Sequence, residues 1–543
     1  MVQKKYLLIT ILSATLLGVS CKKDLEIINP NSPTPASATS EAGIIGLAQG
    51  GVYVNGFRDL KYGDGVFGLF WSGAIGFHDL LGDEIGAEAA NSFLNQIGCP
   101  DKVVLDNNTT VLNPNAPNTF KAFLRQVNQN SYQGQNFIYY EWGYMYNMIS
   151  ACNSVLETLD KVTFAGNAAA KKATIQAWCY YWKGFAYARI GSIYYAGLIN
   201  NTSFATNGNY VAKEKIIDES NAQLDKATAA LTTAAGSAAD YTTVMTAIIP
   251  PFNQVGLGAV PTTDQWKKAI NTLKARNILV NTTVANMTAA QWTSILSLVN
   301  SGIGNGDNVF TGRSNATGDF LSPQSGVVSA KIQSSAAGGG TYKLSERWVQ
   351  EFNTADKRYV QNIKQTTQWI GNTDRGNVFN TRFTLYNGGN GVSGAKVFAN
   401  TSPGAYELYL AGSYEENELM KAEAKIYSGD INGGLQSIDN VRTYQGAGLA
   451  PLAGSGLSLA QAKEELRKER RIALAFIGLS FYDARRWGLL DNPRTNCVVV
   501  DNGGTLNTKA TITYGYLDYW DVPDNELAYN PAASGSAPTK NPK

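Results

Sequence analysis

Residues 142–156 read WGYMYNMISACNSVL, and residues 177–193 read AWCYYWKGFAYARIGSI. Trp142, Tyr146, Ile149, Asn153 and Leu156 recur at spacings of three and four, which sets them on one face of a helix. Trp178, Trp182, Phe185, Arg189 and Ile193 follow the same rule on a second helix, with Gly166 and Asn167 in the connection. Two antiparallel helices in a segment of this size match the geometry of tetratricopeptide-type repeats. Because Trp142, Trp178 and Trp182 share the apolar faces of their helices, they are expected in the core.

Outward from this pair, helical spacing continues over Ile216–Leu231, Gln265–Val280, Ser413–Tyr427, Gly434–Tyr444 and Leu459–Trp487. Stretches 92–136, 282–345 and 365–412 are rich in Gly, Asn, Ser and Thr and read as long loops. Loops of that length in a compact body carry function or are disordered. The expected fold is mostly α: an array of tetratricopeptide-like helix pairs whose loop insertions form a ligand face. A single body would run over 41–543, with repeat helices at about 142–195, 214–281 and 413–445 and a closing helix over 459–488.

The amino terminus has its own pattern. Lys4 and Lys5 precede a largely apolar run from Tyr6 to Leu17, and Gly18-Val19-Ser20-Cys21 follows. A charged start, a short apolar stretch and small residues before a cleavage point describe a secretory signal peptide. Ending on a cysteine, it resembles a bacterial lipobox, which implies a signal peptide over 1–20 and lipidation of Cys21. Two or more acyl chains anchor stably where one does not. Residues 21–40, broken by Pro30 and Pro33, then form a polar tether. No later segment reaches eighteen consecutive apolar residues, so the expected membrane attachment is by lipid alone.

Composition narrows the partners. Of 543 residues 16% are charged, about two-thirds of the usual quarter, while 11% are aromatic, with 28 Tyr and 10 Trp. Such a surface suits uncharged ligands, because aromatic faces and amides meet sugar rings or peptide backbone. Lys plus Arg is 45 against 43 for Asp plus Glu, a net charge of +2, which offers no basic field for nucleic acid. Apart from Cys21, the cysteines are Cys99, Cys152, Cys179 and Cys497. None forms a CxxC pair, so no zinc or redox centre is expected, and disulfides are permitted without being required. Cys152 and Cys179 read as buried small hydrophobes.

Catalytic patterns are sparse. The single histidine is His78, so nucleophile–histidine catalysis would rest on it alone. No HExxH, Walker loop or strand-linked GxGxxG occurs, and Gly338-Gly339-Gly340 lacks a following GK[ST]. His78-Asp79 and Asp83-Glu84 form a polar cluster that a hydrolase could use across a glycosidic bond; carboxylates this close in sequence are more often loop caps or solvated groups. Asp483, Arg485 and Arg486 are expected to be structural, paired with Glu464, Glu465 or Glu469. No catalytic residue, metal or cofactor is assigned. Ligand contacts are expected from loop aromatics and their polar neighbours: Trp71, Trp292, Phe320 and Tyr342 with Arg313 and Asn315. Exposed aromatics could equally face a protein partner.

In the carboxy-terminal third the residues resemble a known family. Glu418–Asp430 with Ile438–Arg442 resembles the repeat helix pair of SusD/RagB outer-membrane lipoproteins. Arg467-Lys-Glu-Arg-Arg471, Phe476-Ile-Gly478 and Phe481–Gly488 resemble that family's closing signature, and Val522–Glu526 with Asn530-Pro531 its tail. Upstream, Trp142–Leu156, Trp182–Gly191 and Lys274-Ala-Arg276 are similar to its earlier helices, and Asp356-Lys-Arg358 to its mid-chain Asp and Arg pair. The family often carries acidic residues where this chain has Ala473 and Ile477. The resemblance implies a helical, non-enzymatic, cell-surface lipoprotein of Bacteroidetes-type bacteria. It would bind oligosaccharide and deliver it to a SusC-like TonB-dependent outer-membrane transporter. A peptide-binding member of the same family, or a secreted glycoside hydrolase, are the alternatives.

Overall fold

The computed structural model describes residues 38–543 apart from 55–56, 58–59, 62–66, 69–75, 88–95, 116, 133–135, 137, 314–341, 372–379, 401, 403 and 491. The signal peptide, Cys21 and nearly all of the tether, as well as Trp71, Asn315 and Phe320, lie outside the described residues. In chain order the helices are α1 (Glu41–Gln49), α2 (Gly76–Leu81), α3 (Phe120–Val127), α4 (Ile138–Leu159), α5 (Ala168–Ile193), α6 (Lys213–Ala234), α7 (Ala238–Ile248) and α8 (Thr263–Val280). Then follow α9 (Ala289–Asn300), α10 (Glu346–Val349), α11 (Lys357–Asn362), α12 (Tyr414–Tyr427), α13 (Ile431–Tyr444), α14 (Leu459–Ala473), α15 (Ser480–Arg486) and α16 (Asp524–Tyr529).

The fold is mostly α, and its long helices pack as pairs: α4 on α5, α6 on α5 and α8, α12 on α13. Helix α5 starts where the Asn167 side chain accepts from the Ala170 amide at 3.1 Å, after Gly166 turns the chain at φ +73°. It is buried along nearly its whole length and on all sides, as a central helix must be, with Lys171, Lys183 and Arg189 buried among its apolar residues. Gly184 lets α6 approach closely, because a Cβ there would stand 2.7 Å from Leu224 Cγ. Ser220 Oγ crosses the same gap to donate to the Gly184 carbonyl at 2.7 Å.

Trp142, Trp178 and Trp182 lie in the core as their spacing predicts. Trp178, Trp182, Trp266 and Phe310 meet mostly edge-on, with Trp178 to Trp182 at 5.5 Å and Trp266 to Phe310 at 5.2 Å between ring centres. Such pairs add about 0.5–1.5 kcal/mol each beyond burial. Cys99, Cys152, Cys179 and Cys497 are buried free thiols. Among the described residues no helix is long and apolar enough to cross a membrane.

Two expectations need correction. The closing helix over 459–488 is broken: α14 ends at Ala473 and α15 begins at Ser480. Between them Phe476 and Gly478 take φ +63° and +75°, a left-handed path that no continuous helix allows. The stretches read as loops also hold regular structure. Helices α3 and α9 lie in them, with several two-stranded ladders and a four-stranded antiparallel sheet ordered Arg494–Val500, Leu506–Thr513, Lys102–Val104, Thr110–Leu112. Helix α9 announces itself by a capping box, in which Thr288 and Gln291 satisfy each other's amides.

Candidate functional site

Described sequence candidates are all inside the protein. Trp292 sits on α9, 5% exposed, its ring stacked on Tyr427 at 4.9 Å and 14°. Tyr342 is 3% exposed in a strand where it pairs with Ala87. Arg313 ends the strand Thr311–Arg313, which runs antiparallel to Glu407–Tyr409 with Arg313 opposite Glu407. Its guanidinium bonds Glu407 Oε1 at 2.9 Å and the carbonyls of Gly404 and Val255 at 2.6 and 2.9 Å. Arg313 therefore holds the 404–409 segment rather than facing open space.

That segment forms one wall of a pocket of about 260 Å³. The opposite wall is the turn between α14 and α15, which contributes Ala473, Ala475 and Ile477, and the start of α12 closes the end with Ser413 and Glu415. Tyr406 and Tyr409 are half-buried, and Lys396 and Asn400 complete the polar lining. Lys396 Nζ bonds Glu415 Oε1 at 2.7 Å and stands 5.4 Å from the Tyr409 ring centre. Gln445 Nε2 donates to the same Oε1 at 3.1 Å and to the Ala473 carbonyl at 3.0 Å, tying both walls together. Glu415 Oε2 is buried and accepts no hydrogen bond from the described residues. Burial resists ionising Glu415, but the Lys396 ammonium outweighs it and holds the carboxyl below its ordinary range. Burial pushes both tyrosine phenols up, so they remain protonated donors.

Two larger hollows lack this chemistry. One of about 660 Å³ near Arg125, Asp521 and Lys540 has no aromatic ring among its lining residues. The other, of about 770 Å³, has Phe352 alone, and its Asp356, Glu465 and Glu469 are already bonded to Arg358 or Arg442.

Under the pocket lies a polar core whose carboxylates sequence reading gave as loop caps or solvated groups. His78, Asp79, Asp83 and Glu84 are buried, not solvated. His78 Nε2 bonds Glu141 Oε2 at 2.9 Å, while Arg189 takes Glu141 Oε1 at 2.6 Å. Asp83 is gripped by Arg347 at 2.6 and 2.9 Å and by Arg494 at 2.9 Å. Asp79 Oδ1 accepts from the Gly478 amide at 3.0 Å and Glu84 Oε2 from the Phe476 amide at 2.9 Å. Those two bonds go with the left-handed turn: it aims the alternate amides of Phe476 and Gly478 inward while Ala475 and Ile477 line the pocket. Burial pushes the Glu84 carboxyl up to about 8, and burial with the nearby Glu84 raises Asp79. With no exposed surface, these carboxyls have no route to a glycosidic bond.

The charges of the closing segment are structural, though not with the partners expected. Asp483 accepts from Arg470 at 2.8 Å and Arg486 at 2.8 Å, and Arg486 also holds Glu423 at 2.7 Å. Arg485 donates to the carbonyls of Ser192, Val280 and Asp518. Glu469 goes instead to Arg358, at 2.6 Å, and Arg442, at 2.8 Å, so that the Asp356–Arg358 pair joins the same network. Sequence reading missed Tyr406, Tyr409, Lys396 and Glu415; what would have found them is that Arg313 needs a carboxylate, and Glu407 sits in an aromatic-rich stretch.

Comparison with known proteins follows this geometry. Residues 414–535, from the first turn of α12 to the tail, match the model of the SusD family. No curated protein sequence matches the chain. Its fold resembles that of surface glycan-binding protein A from Bacteroides fluxus, with a TM-score of 0.56, 14% identity, and coverage of 92% of this chain and 98% of that one. A SusD superfamily protein from Bacteroides vulgatus gives 0.53 at 15% identity over 82% and 88% of the two chains. A SusD-like carbohydrate binding protein from Bacteroides fragilis gives 0.51 at 15% over 84% and 97%. At such identities the likeness is one of fold. The chain thus carries, over residues 414–535, a segment that matches the SusD family, on a fold like that of SusD-like proteins.

Proposed function

We propose that this protein is a nutrient-binding lipoprotein of the outer-membrane surface, held by lipid on Cys21. It captures oligosaccharide and passes it to a SusC-like TonB-dependent transporter. The observation that carries the binding step is the pocket beside Arg313–Glu407. Two half-buried tyrosines, an amide, a hydroxyl and an ammonium line one concave site of low net charge. Aromatic rings exclude water from a sugar face while polar neighbours bond its hydroxyls. The carbohydrate-binding descriptions of relatives that share the fold support the same reading. The lipobox pattern at Cys21 supports the anchor.

Isothermal titration of the mature chain with neutral oligosaccharides and with mixed-sequence peptides tests the proposal. Saturable heat with glycans and none with peptides is expected. Peptide binding alone would move the ligand to the other class within the family, and release of shortened glycan would turn the protein into a hydrolase.

A further inference from the structure

We infer that Phe204 is a second membrane contact: with the body tethered through Cys21, its ring enters the apolar edge of the lipid surface and holds the protein against it. This rests on the lipid anchor proposed above. The ring itself is the first ground. Phe204 is 89% exposed, and its backbone takes φ +53°, a conformation that sterics make an outlier for a bulky side chain. A ring kept there gains nothing from the core, and apolar surface gains from leaving water.

Its support is the second ground. Phe204 lies in the hairpin loop between the paired strands Ala196–Leu198 and Tyr210–Ala212. Ser203 donates its amide and hydroxyl to Glu157, at 2.8 and 2.5 Å, and the Phe204 amide donates to Ser150 Oγ at 3.2 Å. Asn153 Nδ2 bonds the carbonyls of Asn200 and Thr202 at 3.0 and 3.2 Å, and Asn207 Nδ2 returns to the Ile199 carbonyl at 2.9 Å. The ring is thus presented by a braced turn, which lowers the cost of ordering it on contact. Asn530 Nδ2 donates to the Asn207 carbonyl at 2.7 Å, so Tyr529, 75% exposed, borders the same loop.

Position is the third ground, and it names the occupant. Glu157 stands in the last turn of α4. The connection that follows carries Ala165, whose amide donates to Glu41 Oε2 at 3.0 Å, and Glu41 opens α1. The tether from Cys21 therefore joins the body at the end of α4 that bears the loop. Residues 200–209 read NNTSFATNGN, with no ionisable side chain, so no charge has to leave water with the ring. One ring among amides and hydroxyls falls far short of the roughly 800 Å² that each partner gives to a protein interface. A lipid surface takes single aromatic rings at its edge. The tether, at most about 65 Å when extended, keeps the ring near that surface at about millimolar effective concentration, which makes a weak partition a standing contact.

The test couples the mature chain through Cys21 to maleimide-bearing lipid in phosphatidylcholine vesicles, the other four cysteines being buried. This linkage replaces native lipidation, so the result stands apart from the fate of Cys21 in cells. With 4-fluorophenylalanine at position 204, a nitroxide on the acyl chains should broaden the fluorine signal at least fivefold more than a water-soluble nitroxide does, in 0.5 M salt as in 0.1 M. Phe204→Asp should melt within about 1 °C of the parent, since the ring is exposed, and should lower energy transfer from the tryptophans to a dansyl lipid about twofold. Broadening by the water-soluble nitroxide alone, or transfer unchanged by Phe204→Asp, overturns the inference. A ring that stays in water on vesicles and is shielded only when detergent-solubilised outer-membrane protein is added also overturns it, in favour of a protein contact. A native chain whose Cys21 carries no lipid overturns the anchor instead, and with it the setting of this contact.

Discussion

Glu84 and Asp79 keep their protons in the folded protein, because burial raises both carboxyls and one backbone amide is all that each receives from the turn. A carboxyl whose folded pKa lies above its unfolded value of about 4 stabilises the fold fully below that unfolded value. The contribution drains away as pH rises through the folded value, about 8 for Glu84. Thermal stability should therefore fall between about pH 4 and pH 8, and Glu84→Gln, neutral at every pH, should flatten that slope; an unchanged slope would show that another group titrates. Glu469 and Asp483 act oppositely: burial resists ionisation, but their arginines win and hold both below the usual range. Their stabilisation is lost as pH falls below about 4. Nothing local in His78-Asp79 or Asp83-Glu84 foretold this. Their partners are Glu141 for His78, Arg347 and Arg494 for Asp83, and the turn near residue 477 for Asp79 and Glu84, and a period or motif cannot report a contact across such distances. The tryptophans of α4 and α5 were legible because helical spacing is local.

Among the elements, α9 shows how a loop-like composition hides a helix. Its Thr288 and Gln291 cap is a readable start signal, yet the surrounding Gly, Asn and Thr outweigh it. Trp292 buries the helix on α12 together with Ile295 and Val299, in a small core of its own. Trp292→Ala should lower stability by about 3–5 kcal/mol in urea unfolding, the usual cost of emptying an aromatic core site. A change of less than 1 kcal/mol would return Trp292 to the surface. The turn between α14 and α15 is set by backbone conformation. Gly478 holds φ +75°, so Gly478→Ala should cost about 1–2 kcal/mol, read as a lower melting temperature. The sequence predicted the helices on either side, since each is amphipathic, but not the break, since the pattern of apolar residues runs through it.

On the scale of the whole molecule, the mostly helical pairing and the segment 414–535 were both readable, the first from period and the second from resemblance. The pocket was not, because it draws on separated stretches: 396–400, 405–409, 413–415 and 473–477. Arg313 was the one candidate next to it. For localisation, Cys21→Ala should move the protein from the membrane fraction into the soluble envelope fraction. Retention in the membrane would remove the lipid anchor from the proposal.

The bonds from Glu84 to Phe476 and from Asp79 to Gly478 join positions 392 and 399 residues apart. A ribosome adding about 5–20 residues each second needs roughly 20–80 s to travel that far. For all that time the two acids have nothing to settle against and stay wetted and ionised at neutral pH. Until the turn between α14 and α15 is made, the segment that carries Asp79 and Glu84 lacks both of these bonds. A product cut short before its last signature never hides those acids, and it remains open to whatever protease meets it.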